Sequence, residues 1–451
     1  MATVVSSRGL SPKQRKTVAG GAIGTLIEYY DYYLYGLASA AVFPAVFFSS
    51  NDPLIAQLSS FATFAVGFFL RPIGGIIWGI IGDRVGRKVV LMSTVVGMGL
   101  ATTGIGLIPP DAMIGIAAPL LLLFFRLLQG FFVGGEMGGA ATMVVEAAPR
   151  GKRGLYGAFL ISGAGIANVA SGGFMAALGL TPDSWFLTWG WRIPFVLSIV
   201  LAIAAVLLRR QLEESDEFVQ TQSLHIAATG KKPNPLKEAV RHPKNAILGI
   251  LIGLPQSIAG YVVLTYGLAF MVSDKDLPAW MGFAGTMIVG LLQIVVAPLW
   301  GAISDRIGRR TVYIIGCLGF AAMVYPAFMM FSTGNLWLIW LGQILGFVVF
   351  GVAMQATLAT MLAEMFDPEA RTTGVNLGYQ LSNTLGGGLA PLICTALVAA
   401  AGGAFWPVVI YAAVIAVLGV VATLLASVLP DVEGSDRLHA LPGTETVKVG
   451  S

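Results

Sequence analysis

Long apolar stretches, separated by short polar or charged segments, recur along the whole chain. Each is about 20 residues or longer, which is the length that a helix needs to cross a lipid bilayer. The runs are unbroken, whereas a membrane β-barrel shows alternating segments of about ten residues. The pattern predicts twelve membrane helices, near 17–48, 56–81, 89–108, 114–146, 155–180, 192–212, 245–272, 279–303, 311–331, 336–364, 373–401 and 404–428.

The polar segment in the middle of the chain divides these helices into two sets of six. It carries the acids Glu213, Glu214, Asp216 and Glu217 and then a group of lysines and arginines, which is typical of a solvated linker. The predicted organisation is a cytoplasmic N-terminal tail 1–16, a six-helix bundle 17–212, a cytoplasmic linker 213–244, a second six-helix bundle 245–428 and a cytoplasmic C-terminal tail 429–451.

The composition agrees with a membrane protein. Only 11% of the 451 residues are charged and 56% are hydrophobic, whereas about 25% of the residues in a soluble protein are charged. This excludes a water-soluble enzyme. Most of the 27 lysines and arginines fall in alternate connecting segments, and this bias predicts that both termini face the cytoplasm.

Two motifs occur twice, in the same order. The segment GIIGDRVGRK at 79–88 recurs as GAISDRIGRR at 301–310, each time after the second helix of a half. A Glu and Arg pair with a constant spacing follows the fourth helix of each half. The chain therefore consists of two parallel repeats, and a site between such repeats is typical of secondary transporters. The pairs are Glu146 with Arg153 and Glu364 with Arg371.

These residues give the chain a resemblance to the major facilitator superfamily, whose signature is the repeated Gly-x-x-x-Asp-Arg-x-Gly-Arg-Lys/Arg loop. It resembles the metabolite:proton symporter family more narrowly. The resemblance implies an all-α membrane protein of the bacterial cytoplasmic (inner) membrane, with twelve transmembrane helices in two pseudo-symmetric six-helix halves. The narrower resemblance rests on GTLIEYYD at 24–31, RPIGG at 71–75, RLLQG at 126–130, GGE at 134–136 and WRIPF at 191–195.

The repeated loops predict a cytoplasmic gate. An acid at the C-terminal end of a helix opposes the helix dipole and therefore needs a partner elsewhere. The resemblance implies that Asp83 and Asp305 pair with arginines and face a helix N-terminus of the opposite half. An alternative for the basic residues is that they bind anionic headgroups and set the topology. The predicted gate residues are Asp83, Arg84, Arg87, Glu146, Arg153, Asp305, Arg306, Arg309, Glu364 and Arg371.

Five charged residues lie well inside predicted helices, and all are in the N-terminal half: Glu28, Asp31, Arg71, Arg126 and Glu136. Each costs at least about 2.5–3.5 kcal/mol in the membrane, which marks it as a functional candidate. Three acids face two arginines, and a carboxylate without a cation in apolar surroundings binds a proton readily. We predict Asp31 as the proton site, with Glu28 as partner or alternate and Glu136 as a third candidate. The resemblance to sugar porters implies that Arg126 changes its pairing when the acid is protonated. The alternative is a static ion network that holds the first, second and fourth helices together.

The substrate site is predicted between the halves. Arginine binds a carboxylate with two hydrogen bonds, and amides and phenols inside helices orient a substrate or hold helices together. Helical spacing places Tyr32 and Tyr35 on the face of Glu28 and Asp31, and related transporters imply pocket residues in the seventh and eleventh helices. The predicted contacts are Arg71, Arg126, Tyr32, Gln129, Gln256, Tyr261, Tyr379 and Gln380.

The predicted function is proton-coupled symport of a small organic acid of the shikimate, ketoglutarate or citrate kind, by alternating access. The alternatives are symport of a zwitterionic osmolyte such as proline or betaine, export, and, remotely, an intramembrane enzyme. An enzyme is disfavoured because no histidine lies inside a predicted helix. We expect no catalytic residue, metal or cofactor, the proton gradient as the energy source, and lipid, protons and substrate as partners. No nucleic acid is expected to bind, and the protein is expected to function as a monomer.

Overall fold

The computed structural model describes residues 12–50, 52–85, 87–134, 148, 151–209, 243–365 and 371–426, and within them the side chains other than those of 12–24, 82–88, 208–209 and 371–373. These residues are overwhelmingly helical, and the described part of the chain contains no strand. The predicted all-α fold class is therefore confirmed.

Twelve long helices, α1–α12, follow one another in the described ranges. The first six are α1 (Pro12–Ala41), α2 (Pro53–Val85), α3 (Arg87–Leu107), α4 (Ala117–Val133), α5 (Arg153–Gly179) and α6 (Arg192–Arg209). The second six are α7 (Pro243–Asp274), α8 (Ala279–Ile307), α9 (Arg309–Phe331), α10 (Leu336–Met365), α11 (371–400) and α12 (Trp406–Leu425). The predicted twelve helices are confirmed.

The structure differs from the predicted domain boundaries at the starts of two helices. Helix α1 begins at Pro12, inside the segment predicted as a tail, and α7 begins at Pro243. The second half of the predicted fourth helix and most of the linker lie outside the described residues. Ten of the helices are long and apolar enough to cross a membrane. The described part of α1 is less apolar because it holds Glu28, Asp31 and five tyrosines.

The outer surface of the bundle is apolar. Large hydrophobic side chains such as Leu100, Val200, Val295 and Leu424 are more than half exposed. An exposed apolar surface of this extent is stable in lipid and not in water, and a helix satisfies its backbone hydrogen bonds within itself. The chain is therefore a multi-pass membrane protein.

The two halves meet along the helix pairs α5/α8 and α2/α11. Glycines allow the close approach of α5 and α8, since a Cβ on Gly165 would lie 2.9 Å from the carbonyl oxygen of Gly290. At the end where α8 leads into α9, which is the predicted cytoplasmic end, a Cβ on Gly154 would lie 2.7 Å from the carbonyl oxygen of Gly301. Between α2 and α11, the Thr384 hydroxyl donates to the carbonyl oxygen of Phe68 at 3.0 Å.

Helices α7, α10 and α11 contain wider, π-helical turns at Tyr261–Tyr266, Ile344–Val349 and Asn383–Gly388. Such turns are frequent at functional sites because they redirect side chains. Hydrophobic periodicity did not predict them. They place Tyr261 and Asn383 at the interface between the halves.

The contact between α2 and α4 depends on glycine. A Cβ on Gly130 would lie 1.9 Å from the carbonyl oxygen of Gly67, so Gly130→Ala is expected to separate the two helices. Overpacking of this kind costs about 1–3 kcal/mol, which thermal unfolding of the purified protein would detect as a lower Tm. Gly79→Ala on α2 is the matched control, because no atom lies within 4 Å of the added methyl. Equal melting of the two variants would contradict the close contact.

Candidate functional site

Four of the five predicted intramembrane charges are described, and all four are buried. The side chains of Glu28, Asp31, Arg71 and Arg126 are at most 1% exposed. They come from α1, α2 and α4, which pack together in the N-terminal half. Glu136 lies outside the described residues. Buried charges of both signs inside a membrane bundle mark this region as the candidate site.

A chain of hydrogen bonds connects Arg126 to Asp31. The Arg126 Nη1 donates to the Gln129 Oε1, and the Gln129 Nε2 donates to the Thr102 hydroxyl at 2.8 Å. The Thr102 hydroxyl lies 2.8 Å from the Asp31 Oδ2, to which it donates. A cation on α4 and an acid on α1 are thus joined through an amide and a hydroxyl.

The rest of the Arg126 guanidinium is held by α1 and α2. Its Nε and Nη2 donate to the carbonyl oxygen of Phe64 at 3.4 and 3.3 Å, and its Cζ lies 4.2 Å from the centroid of the Tyr35 ring. Gly67 leaves room for it, since a Cβ there would lie 2.4 Å from the Arg126 Nε. Arg126 is therefore fixed by the protein itself.

Arg71 has a different environment. Its Cζ lies 3.8 Å from the centroid of the Tyr32 ring and 3.7 Å from that of Phe68. Among the described residues, its Nε and Nη2 have no hydrogen-bond partner, although both are buried. These two donors lie on the same edge of the planar guanidinium, which is the edge that binds a carboxylate with two parallel hydrogen bonds.

Arg71 lies close to the acid of α1 and to a phenol of the opposite half. The electrostatic neighbours of the Tyr261 hydroxyl on α7 include Arg71, Arg126 and Glu28. Those of the Tyr379 hydroxyl on α11 include Glu28 and Arg71. Glu28 therefore faces the interface between the halves, whereas Asp31, three residues further along α1, contacts Thr102 on α3.

A cavity of about 20 Å³ lies between the halves. It has room for about one water molecule. Three polar atoms at its wall, the Tyr33 hydroxyl, the Asn168 Oδ1 and the Gln256 Oε1, have no hydrogen-bond partner among the described residues. Buried polar atoms of this kind are usually satisfied by water, an ion or a ligand. The polar lining residues are Tyr29, Tyr33, Asn168, Gln256, Ser257, Tyr261, Thr265, Thr286, Gln355 and Asn383.

Amide side chains link the halves at one wall of the cavity. The Asn168 Nδ2 on α5 donates to the Gln293 Oε1 on α8 at 2.9 Å. The Gln293 Nε2 then donates to the Gln355 Oε1 on α10 at 2.8 Å. This row of amides offers both donors and acceptors to a hydroxylated molecule.

The cavity is closed at both ends. Towards the predicted cytoplasmic end, the hydroxyls of Tyr29 and Tyr379 are hydrogen-bonded at 2.6 Å, one helical turn before Asn383. Towards the opposite end, the Ser273 hydroxyl of α7 lies 3.5 Å from the Gln57 Oε1 of α2. Contacts between the two halves therefore lie on both sides of the cavity.

The repeated loop of the second half contacts the first half directly. The Asp305 carboxylate accepts hydrogen bonds from the backbone N–H groups of Gly154 at 2.8 Å and Leu155 at 3.0 Å. These donors lie in the first turn of α5, where the helix dipole stabilises a negative charge. Arg309 lies 3.6 Å from Asp305 and also bonds Glu364. The Asp305 contacts thus join the two halves at the predicted cytoplasmic end.

Other predicted gate residues are placed differently or are not described. Arg306 is exposed, which fits the alternative that it binds headgroups. Arg153 is the first residue of α5. The side chains of Asp83, Arg84, Arg87, Glu146 and Arg371 lie outside the described residues.

Comparison with known proteins connects this geometry to a family. A family model described as sugar (and other) transporter matches residues 18–428. The shikimate transporter of Escherichia coli (strain K12) is 38% identical over 402 residues, which cover 88% of this chain and 91% of that protein. The chain belongs to this transporter family. It is thus a major facilitator superfamily transporter of small molecules and not an enzyme.

Further relatives agree with this family. The proline/betaine transporter of Salmonella typhimurium (strain LT2) is 32% identical to this transporter over 420 residues, which cover 91% of this chain and 82% of that protein. The crystal structure of a D-xylose-proton symporter matches it with a TM-score of 0.70 at 19% identity, covering 91% of this chain and 96% of that chain. This likeness shows that the transporter has the major facilitator fold.

The transporter brings most of its predicted site residues together, with two differences. Gln129 was predicted as a substrate contact, but its amide is occupied by Arg126 and Thr102. Tyr29 and Tyr33 line the cavity, although helical spacing had selected Tyr32 and Tyr35. Tyr32 stacks on Phe68 beside Arg71. The predicted contacts Gln256 and Tyr261 line the cavity, and Tyr379 bonds Tyr29 at one end of it. Gln380 is buried, and both polar atoms of its amide have no hydrogen-bond partner among the described residues.

Sequence reasoning missed two residues of the transporter's site. Thr102 was not selected because a threonine inside an apolar helix carries no signal of its own. Asn168 was not selected because α5 was interpreted through its glycines, which serve close packing. An amide in the midst of such glycines was a usable signal, since close approach brings it against the facing helix.

Proposed function

We propose that this transporter is a symporter that couples protons to the movement of a small organic acid by alternating access. The observation that carries the proposal is the open edge of Arg71. Its Nε and Nη2 are buried without a partner in the described part of the chain, and leaving them so costs free energy. A carboxylate satisfies both at once and neutralises the charge.

The groups around Arg71 favour a hydroxylated acid as the substrate. The cavity beside it offers the phenols of Tyr29, Tyr33 and Tyr261 and the amides of Gln256 and Gln355. These groups can donate to and accept from hydroxyl groups, as the specificity of a polar ligand requires. Shikimate combines a carboxylate with ring hydroxyls, and the relative named as a shikimate transporter is 38% identical.

Proton coupling is assigned to Asp31. It is buried in the membrane, it lies apart from the cavity, and the hydrogen-bond chain connects it to Arg126. An acid in such surroundings can gain and lose a proton without contacting the substrate. The D-xylose-proton symporter has the same fold and carries proton coupling in its title, which supports this assignment.

A zwitterionic osmolyte is the second candidate. The cavity is lined by the rings of Tyr29, Tyr33 and Tyr261, and aromatic faces attract a quaternary ammonium group. Arg71 would then hold the carboxylate of the same molecule, with Glu28 near its positive end. The relative named as a proline/betaine transporter favours this alternative.

A binding panel with purified protein separates the candidates. Shikimate, 2-oxoglutarate, citrate, glycine betaine, proline and xylose are tested by thermal stabilisation at pH 5.5 and 7.5. We expect one organic acid to raise the Tm, and its methyl ester, the matched control without the charge, to have no effect. Stabilisation by betaine or proline alone would select the second candidate, and stabilisation by xylose or by the ester would reject the carboxylate site.

A further inference from the structure

Thr102 occupies a special position between the two charges. Its hydroxyl accepts a hydrogen bond from the Gln129 Nε2 at 2.8 Å. It has two acceptors for its single hydrogen, the Asp31 Oδ2 at 2.8 Å and the carbonyl oxygen of Met98 at 3.0 Å. A hydroxyl donates only one hydrogen, so it can serve one of these acceptors at a time.

The protonation of Asp31 decides which acceptor is served. When Asp31 is a carboxylate, the hydroxyl donates to it, because a charged acceptor forms the stronger hydrogen bond. When Asp31 holds a proton, its own O–H can donate to the Thr102 oxygen. The threonine hydrogen then turns to Met98, and the oxygen accepts from both Asp31 and Gln129.

The geometry points to Thr102 and Gln129 as positioning residues that transmit the protonation state of Asp31 to Arg126. This inference rests on the proposed function, in which Asp31 is the proton site. In the charged state every donor in the chain is oriented from the Arg126 guanidinium towards the carboxylate. Protonation removes the negative charge at the Asp31 end of the hydrogen-bond chain. This weakens the hydrogen bonds that hold Arg126 in place.

Arg126 can convert this change into movement. It fits into the space left by Gly67 and lies over the ring of Tyr35, in contact with α2. The ionisable groups beside Asp31 on α1 are Glu28, Tyr29, Tyr30, Tyr32 and Tyr33, and the Tyr30 hydroxyl donates to the carbonyl oxygen of Pro194. Thr102 contacts Asp31 from α3, and Arg126 on α4 is connected to it through the hydrogen-bond chain.

The test is infrared spectroscopy of the purified protein during acid titration, which requires no substrate. The guanidinium band of Arg126 is identified by its loss in Arg126→Lys. We expect this band to shift on acidification in the wild type and in Thr102→Ser, which keeps the hydroxyl. The shift is expected to be lost in Thr102→Val and in Gln129→Met, which break the chain at two different places.

Thr103→Val is the matched control. It makes the same chemical change one residue along α3, at a hydroxyl that has no hydrogen-bond partner among the described residues. In proteoliposomes, we expect Thr102→Val to accumulate shikimate roughly tenfold less than Thr103→Val, a factor typical of one lost hydrogen bond to a charged group.

Two outcomes distinguish a failure of this inference from a failure of the proposal that Asp31 is the proton site. A band shift that is lost in Asp31→Asn but kept in both Thr102→Val and Gln129→Met overturns the transmission and leaves Asp31 as the proton site. A shift that persists in Asp31→Asn overturns both. Equal accumulation by Thr102→Val and Thr103→Val would also overturn the transmission.

Discussion

Asp31→Asn is expected to abolish the accumulation of substrate against its gradient. An amide cannot take up and release a proton, so the proton gradient no longer drives transport. The exchange of labelled for unlabelled substrate should persist, because Asp31 contacts Thr102 on α3 and does not line the cavity. The measurement is uptake into proteoliposomes with an imposed pH gradient, where the ratio of internal to external substrate should fall to about one.

The structure provides a matched comparison for this variant. Glu28→Gln neutralises the other buried acid of α1, which faces Arg71 and Tyr261, so it is expected to change substrate affinity as well as coupling. If Asp31→Asn concentrates substrate as the wild type does while Glu28→Gln does not, the proton site is Glu28.

Arg71→Lys is expected to weaken the binding of an organic acid by about 10- to 100-fold. Lysine keeps the charge but loses the planar edge that binds a carboxylate with two hydrogen bonds. A hydrogen bond to a charged group contributes about 1.5–3 kcal/mol, and about 1.4 kcal/mol corresponds to a factor of ten in Kd. Equilibrium binding to the purified variant measures this factor.

Arg192→Lys is the control for the general effect of replacing an arginine whose guanidinium bonds backbone carbonyls. Arg192 donates to the carbonyl oxygens of Gly106 and Ile108 at the end of α3, away from the cavity. It is therefore expected to lower the Tm and to leave the Kd unchanged. An Arg71→Lys variant with wild-type affinity would show that the acid binds elsewhere.

The helices were predictable from the sequence because the membrane imposes a length and an apolar composition on each of them. The contact of Asp305 with the opposite half was predictable in outline for a physical reason too. An acid such as Asp305 at a helix C-terminus is unfavourable in isolation, so a partner was expected, and the first turn of α5 provides one.

The partners of the buried charges could not be predicted in the same way. Glu28 and Asp31 share a face by helical spacing, yet Asp31 contacts α3 while Glu28 lies near α7 and α11. Which neighbour each acid meets depends on how separate helices pack, and periodicity within one helix contains no such information. The wide turn that begins at Tyr261 is likewise a result of packing.

The small volume of the cavity has a consequence for the transport cycle. A cavity of about 20 Å³ is far smaller than the roughly 300–1,000 Å³ of typical ligand pockets. The site must therefore widen before it can admit an organic acid in the proposed cycle.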